Sequence, residues 1–215
     1  DISAMSTGQY ASLASVKALW LINQIVDLYE KNGQEELIYF PYSKDMGEYA
    51  VIREFALELT KDCTTDKEKI DTVYDWIVEN IIYDDNAIKH NPYQTLTTKR
   101  AVCAGYTTLM YDMLSALEIK TFYVRTTPLF ANPYTVIDFL TIDRGEIPSH
   151  ACLAIEISDG EYAFYDPTYG ASDKEQYRCM DAEAFGDYMV AFSVNGIEIV
   201  LDGIDYTQYK IPGTV

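Results

Sequence analysis

Apolar residues recur at three- and four-residue steps in several separate stretches of this chain, and that period commits those stretches to amphipathic helices. Tyr10, Leu13, Leu19, Ile22, Val26 and Tyr29 mark a helix over residues 9–31, which Gly33 stops. Ile52, Phe55, Ala56 and Leu59 mark a second over about 47–61, entered through a Pro-containing turn at residues 40–43. Thr65 and Glu68 form a capping box, in which each side chain satisfies a free backbone donor. It opens a third helix, with Ile70, Val73, Tyr74, Ile77, Val78 and Ile81 as the buried stripe. A polar loop follows from Asp84 to about Thr98. The fourth helix has Cys103 at its mouth and Leu109, Met110, Met113, Leu114 and Leu117 on its apolar face.

Beyond the fourth helix the pattern changes. Residues 121–125 read as a strand. Residues 127–148 hold Pro128, Pro133 and Pro148 around a strand-like Val136-Ile137-Asp138-Phe139-Leu140, and read as a long excursion over the surface. Residues 150–157 and 161–166 read as two strands joined at Ser158-Asp159-Gly160. A last pair around 192–194 and 198–201 turns at Asn195-Gly196.

Composition excludes several classes. The formal charge is −18 and no basic stripe is present, so nucleic acid is not an expected partner. The longest apolar run, Ala18-Leu19-Trp20-Leu21-Ile22, falls far short of the roughly 18 residues of a membrane span. Four cysteines form no C-x-x-C pair, and there are only two histidines, His90 and His150, so neither a metal site nor a cofactor is expected. The acidic Asp84-Asp85-Asn86 lacks the glycine and distal glutamate of a calcium loop and reads as solvated. Because the chain begins at Asp1, it is read as trimmed or processed, with a secreted or cell-surface location as the expectation.

Three residues suggest chemistry. A helix N-terminus favours a thiolate, and Cys103 stands at one, with Gly105 leaving room for close approach. His150 starts one strand and Asp166 ends the next, about one hairpin apart. Because side chains alternate along a strand, register decides whether the two can meet. A two-residue Asp159-Gly160 loop pairs Leu153 with Asp166 and sends His150 to the opposite face. A three-residue Ser158-Asp159-Gly160 loop pairs Cys152 with Asp166 and puts His150 on the same face. Gly160 suits the left-handed last position of such a loop, so the three-residue loop is expected. The shared face then carries Cys152 and Ala154, small enough for the Cys103 helix to pack on. Leu153, Ile155, Ile157 and Tyr165 make the other face a core face. In this arrangement Cys103 is a nucleophile, His150 its base and later acid, and Asp166 the group that orients the ring. The Cys103 backbone N–H is one oxyanion donor; Tyr93 or Gln94 in the preceding loop is named as a second.

The chain resembles the transglutaminase-like superfamily in its bacterial form. The likeness lies in Ile70-Asp71-Thr72-Val73-Tyr74-Asp75-Trp76-Ile77 with Tyr83-Asp84, in Ala101-Val102-Cys103-Ala104-Gly105-Tyr106, and in His150-Ala151 with Tyr165-Asp166-Pro167-Thr168. It implies an α+β fold: a papain-like transglutaminase core with the nucleophile helix packed on an antiparallel sheet and an N-terminal helical extension. Residues 1–64 are then the extension and 65–215 the core. The family's cysteine, histidine and aspartate map onto Cys103, His150 and Asp166. Where relatives often carry tryptophan, this chain has Cys152 and Tyr169. The implied activity is thiol-dependent acyl transfer on peptide or protein amides, hydrolysis being favoured over cross-linking. Three other readings stay open: a true amine-transferring transglutaminase, a non-enzymatic cell-surface binding module retaining the fold, and a Cys103–Cys152 disulfide.

Overall fold

A computed structural model describes residues 2–131, 134–143 and 146–201. In chain order the elements are α1 (Thr7–Lys31), α2 (Met46–Leu59), α3 (Asp66–Asn80), β1 (Ile82–Tyr83), α4 (Pro92–Thr98), β2 (Arg100–Ala101) and α5 (Cys103–Ala116). Then come β3 (Thr121–Pro128), α6 (Val136–Thr141), β4 (His150–Ser158), β5 (Glu161–Tyr165), α7 (Pro167–Gly170), α8 (Ala182–Gly186), β6 (Met189–Val194) and β7 (Ile197–Glu198). The four long helices fall where their periodicity places them. Thr65 and Glu68 form the expected capping box on α3, and Ser6 with Gln9 forms another on α1.

The second half builds a five-stranded antiparallel sheet in the order β5-β4-β3-β6-β7. Both faces are buried. On one, α1 and α8 cover Phe122, Val124, Cys152, Ala154 and Phe164. On the other, α5 and α3 cover Leu153, Ile155, Ala163 and Tyr165. The helix carrying Cys103 therefore packs on the large-residue face, contrary to expectation. The small face, with Cys152 and Ala154, is taken by α1, whose Ala11, Ala14, Ser15 and Ala18 let it lie close. A Cβ at Gly186 of α8 would come within 2.8 Å of the Ser12 Cα, so α1 and α8 are nearly in backbone contact. Residues 1–64 are divided between the two faces, because α2 packs with α3 and α5 rather than with α1.

Three further expectations change. The polar loop over 84–98 contains α4, opened by a capping box between Asn91 and Gln94 with Pro92 in its first turn. The strand-like 136–140 is helix α6, opened by Thr135 and Asp138. Its Val136 and Phe139 are buried while Ile137 and Leu140 are exposed, a three-residue spacing no strand would produce. Phe139 stacks on Tyr10 of α1 with ring centroids 5.6 Å apart, so this part of the excursion belongs to the core. Asp84 is also more than a solvated residue: it accepts from the Asn86 N–H and pairs with Arg100 at 2.6 Å, tying the segment just before Cys103. Pro133 and residues 202–215 lie outside the described residues.

Candidate active site

The hairpin reaches the expected register by a different route. Ser158 pairs with Glu161 across a two-residue turn, where Gly160 has φ 70°. A bulge then absorbs Ile157, so Glu156 pairs with Tyr162 and Leu153 with Tyr165. The extra residue restores the parity that a two-residue loop alone would have reversed. His150 and Asp166 meet, with Nε2 2.6 Å from Oδ2. Both are buried, His150 at 7% and Asp166 at 0% exposure.

The Asp166 carboxylate has an assigned job for each oxygen. Oδ1 caps α7, accepting the Thr168 and Tyr169 N–H groups at 3.0 Å each. Oδ2 is left for the imidazole. With Nε2 committed to Asp166, Nδ1 is the ring nitrogen left to exchange a proton with a thiol. Burial disfavours the imidazolium, but the Asp166 charge and hydrogen bond, with a hydrogen bond and charge from Cys103, outweigh it and push His150 up to about 9.

Cys103 is half-buried and begins α5. Val102 before it makes no side-chain cap, whereas every other α-helix described is capped by a side chain. The Cys103 and Ala104 N–H groups have no partner within the helix, whereas the Gly105 N–H already donates to the Val102 carbonyl at 2.8 Å. One turn later, the Thr107 hydroxyl donates to the Ala151 carbonyl at 3.0 Å, fastening α5 to β4 beside His150. Gly105 permits the close approach expected of it: a Cβ there would lie 2.7 Å from the Ala101 Cβ and 2.9 Å from the Thr95 Oγ1. All four cysteines are free, so Cys103 and Cys152 do not pair, and Cys152 is fully buried under α1.

Tyr93 and Gln94 lie on α4, which packs beside α5. Gln94 is exposed, and its side-chain oxygen accepts the Asn91 N–H in the capping box. Tyr93 is partly buried against the α3–α5 cluster. Three other tyrosines feel the charge at Cys103. Burial raises the phenols of Tyr83, Tyr123 and Tyr169, and charge at Cys103 raises each of them further. The Tyr169 ring sits over His150 at 4.6 Å, and Phe130 meets Tyr169 edge-on at 5.3 Å. Tyr83 and Tyr169 fall inside recognisable sequence segments, but no local pattern marks Tyr123. His90 holds the Arg100 carbonyl at 2.9 Å and takes no part. Among the described residues no group of His, Cys, Asp or Glu could hold a metal ion, and no helix is long and apolar enough to cross a membrane.

Comparison with known proteins bears on the family and the fold. Residues 53–167, more than half of the chain, match the transglutaminase-like superfamily. Among solved structures, a protein of Cytophaga hutchinsonii provisionally assigned as a cysteine protease matches with a TM-score of 0.53 at 18% identity. The match covers 81% of this chain and 48% of that one, so this chain spans about half its length. A structure described as a TGase matches at 12% identity with a TM-score of 0.42, over 66% of this chain and 37% of its own. No curated protein matches the sequence.

Proposed function

Since the chain belongs to the transglutaminase-like superfamily, we propose that it is a thiol-dependent enzyme acting on peptide or protein amides, with Cys103, His150 and Asp166 as its catalytic residues. The observation that carries this reading is the buried His150–Asp166 contact at 2.6 Å beside a cysteine at the uncapped mouth of α5.

In the first step the Cys103 sulfur, its proton already held on His150 Nδ1 because that histidine is raised to about 9, bonds to the amide carbonyl carbon. Negative charge gathers on the carbonyl oxygen, and the Cys103 N–H, with the uncapped first turn behind it, supplies a donor for that charge. Collapse breaks the carbon–nitrogen bond, and the His150 proton leaves with the amine. Water then attacks the thioester, giving its proton to His150, and the acid departs as the thiol reforms. Asp166 holds the ring so that Nδ1 can accept.

Hydrolysis is favoured over transfer to a second amine. Transfer must compete with water, which requires a walled, dry approach to the thioester. Cys152 supplies no such wall, because it is buried beneath α1. Tyr169 covers His150, and the Phe130 that meets Tyr169 edge-on is itself 61% exposed. The test is to incubate the protein with a mixed peptide digest, quench in acid and weigh the Cys103 peptide. An acyl adduct on Cys103, lost in His150→Ala, is expected. No adduct and no peptide turnover would leave a binding module in its place.

A further inference from the structure

The residue after Cys103, Ala104, is exposed. With Thr108 one turn on, it lines a cleft of about 380 Å³. Tyr111 lines a second cleft of about 370 Å³. Tyr42 borders both clefts, so they are neighbours along one side of the nucleophile helix. Their outer wall is the segment 40–45, and that wall is fastened to α5 itself. Asp112 is fully buried, accepts the Tyr42 N–H at 2.6 Å and the Ser43 N–H at 3.1 Å, and is bonded to the Ser43 hydroxyl.

The two halves differ in chemistry. The near half carries both signs, with Lys44 and Lys89 against Asp45 and Glu48, and so favours no net charge. The far half is aromatic: Phe40, Tyr42, Tyr111 and Tyr123 surround it, and Tyr42 stacks on Tyr123 with centroids 6.1 Å apart. From Ala104 to Tyr111 the helix rises about 10 Å. An extended peptide covers that distance in about three residues.

We infer that the groove is a substrate subsite for an extended peptide, with the aromatic cleft taking a large apolar or aromatic side chain about three residues from the reacting amide. The inference deepens the proposed function and rests on it for the position of the reacting amide. Selectivity there comes from side-chain shape and apolarity rather than charge.

The experiment uses alanine-based heptapeptides whose central residue bears a chloroketone side chain, with phenylalanine three positions before it, three after it, or absent. Alkylation of Cys103 is followed by mass. One of the two Phe peptides should react roughly 10- to 100-fold faster than the Phe-free one, the range that burial of a large apolar side chain supports. The double change Phe40→Ser and Tyr42→Ser should bring that ratio close to 1. Both side chains are more than half exposed, so the fold tolerates their loss. A ratio near 1 for both Phe peptides in the parent chain overturns the subsite, as does a preference that survives the double change. The same peptides with alanine at the centre are followed by amide NMR. Shifts at residues 40–42 and 195–196 are expected with Phe and not without it; their absence also overturns the subsite. If iodoacetamide fails to alkylate Cys103 while those shifts appear, the catalytic reading falls and the groove stands.

Discussion

Replacing Asp166 by asparagine separates orientation from charge at one position. The Asp166 Oδ1 accepts two N–H groups of α7, so the asparagine oxygen must stay there; its NH₂ group would otherwise face two donors. The NH₂ then points at His150 Nε2 and donates to it. Nε2 becomes an acceptor, the ring proton moves to Nδ1, and Nδ1 can no longer take a proton from Cys103. Charge is lost as well. His150 stands at about 9 against an ordinary 6.5, and without the carboxylate burial pulls it back down, opposed only by Cys103. A return to 6.5, a fall of 2.5 units, corresponds to about 3 kcal/mol of imidazolium stabilisation, or roughly 300-fold in rate. The wrong tautomer adds to this, towards the ~10⁴ loss the same change produces in a serine-protease triad. Stability provides a second reading. The folded histidine is raised, so its contribution is complete below pH 6.5 and is lost as pH rises through about 9. The parent should thus lose up to about 3 kcal/mol across that window, and Asp166→Asn should be nearly flat there. The assays are turnover, urea unfolding against pH, and NMR titration of the ring, where His90 is the only other histidine to assign. Turnover within a few-fold of the parent, with His150 still titrating near 9, would refute the reasoning.

Three other outcomes are expected. Near neutral pH, iodoacetamide should label Cys103 faster than Cys63, Cys152 or Cys179, and His150→Ala should slow it. Cys152 should be slowest, since it is fully buried and burial pushes its thiol up; equal rates by mass spectrometry would count against an activated sulfur. With a glutamine-containing peptide and millimolar primary amine, the hydrolysed product should exceed the amine adduct; dominance of the adduct would make the protein a true transglutaminase. Gly105→Ala should destabilise by about 1–3 kcal/mol in urea unfolding, because its Cβ would press on Ala101 and Thr95. Gly8→Ala, with nothing within 4 Å of the new Cβ, should be neutral or stabilising, and similar effects at both sites would discredit the packing argument.

Much of this molecule was legible along the chain because its signals are local. The α3 capping box, the stripe from Ile70 to Ile81 and the glycine after α1 each act within a few residues, and those helices form where the pattern places them. The Asn195-Gly196 turn is equally local, with both residues at positive φ. Strand parity carried further: the requirement that His150 and Asp166 share a face is met. How it is met was settled by the sheet. A two-residue turn with Ile157 bulged and a three-residue loop leave the same pairing beyond Glu156, and only the ladder distinguishes them.

The remaining differences arose where tertiary partners outweigh local pattern. Five apolar-rich residues at 136–140 are too few to separate a period of two from one of 3.6, and the burial of Val136 and Phe139 against α1 selects the helix. The side of the sheet that α5 takes depends on what else must be buried. An alanine-rich α1 can lie against Cys152 and Ala154, while the bulky Leu109, Met110 and Met113 of α5 fill the space over Leu153 and Ile155. Tyr83, Tyr123 and Tyr169 come from three distant segments, and no periodicity within any one of them reports that charge at Cys103 acts on all three. Sequence alone therefore determined the local elements and the residues able to do chemistry. The faces they share and the tyrosines around them were decided by packing, because burial is a property of pairs of elements rather than of either one.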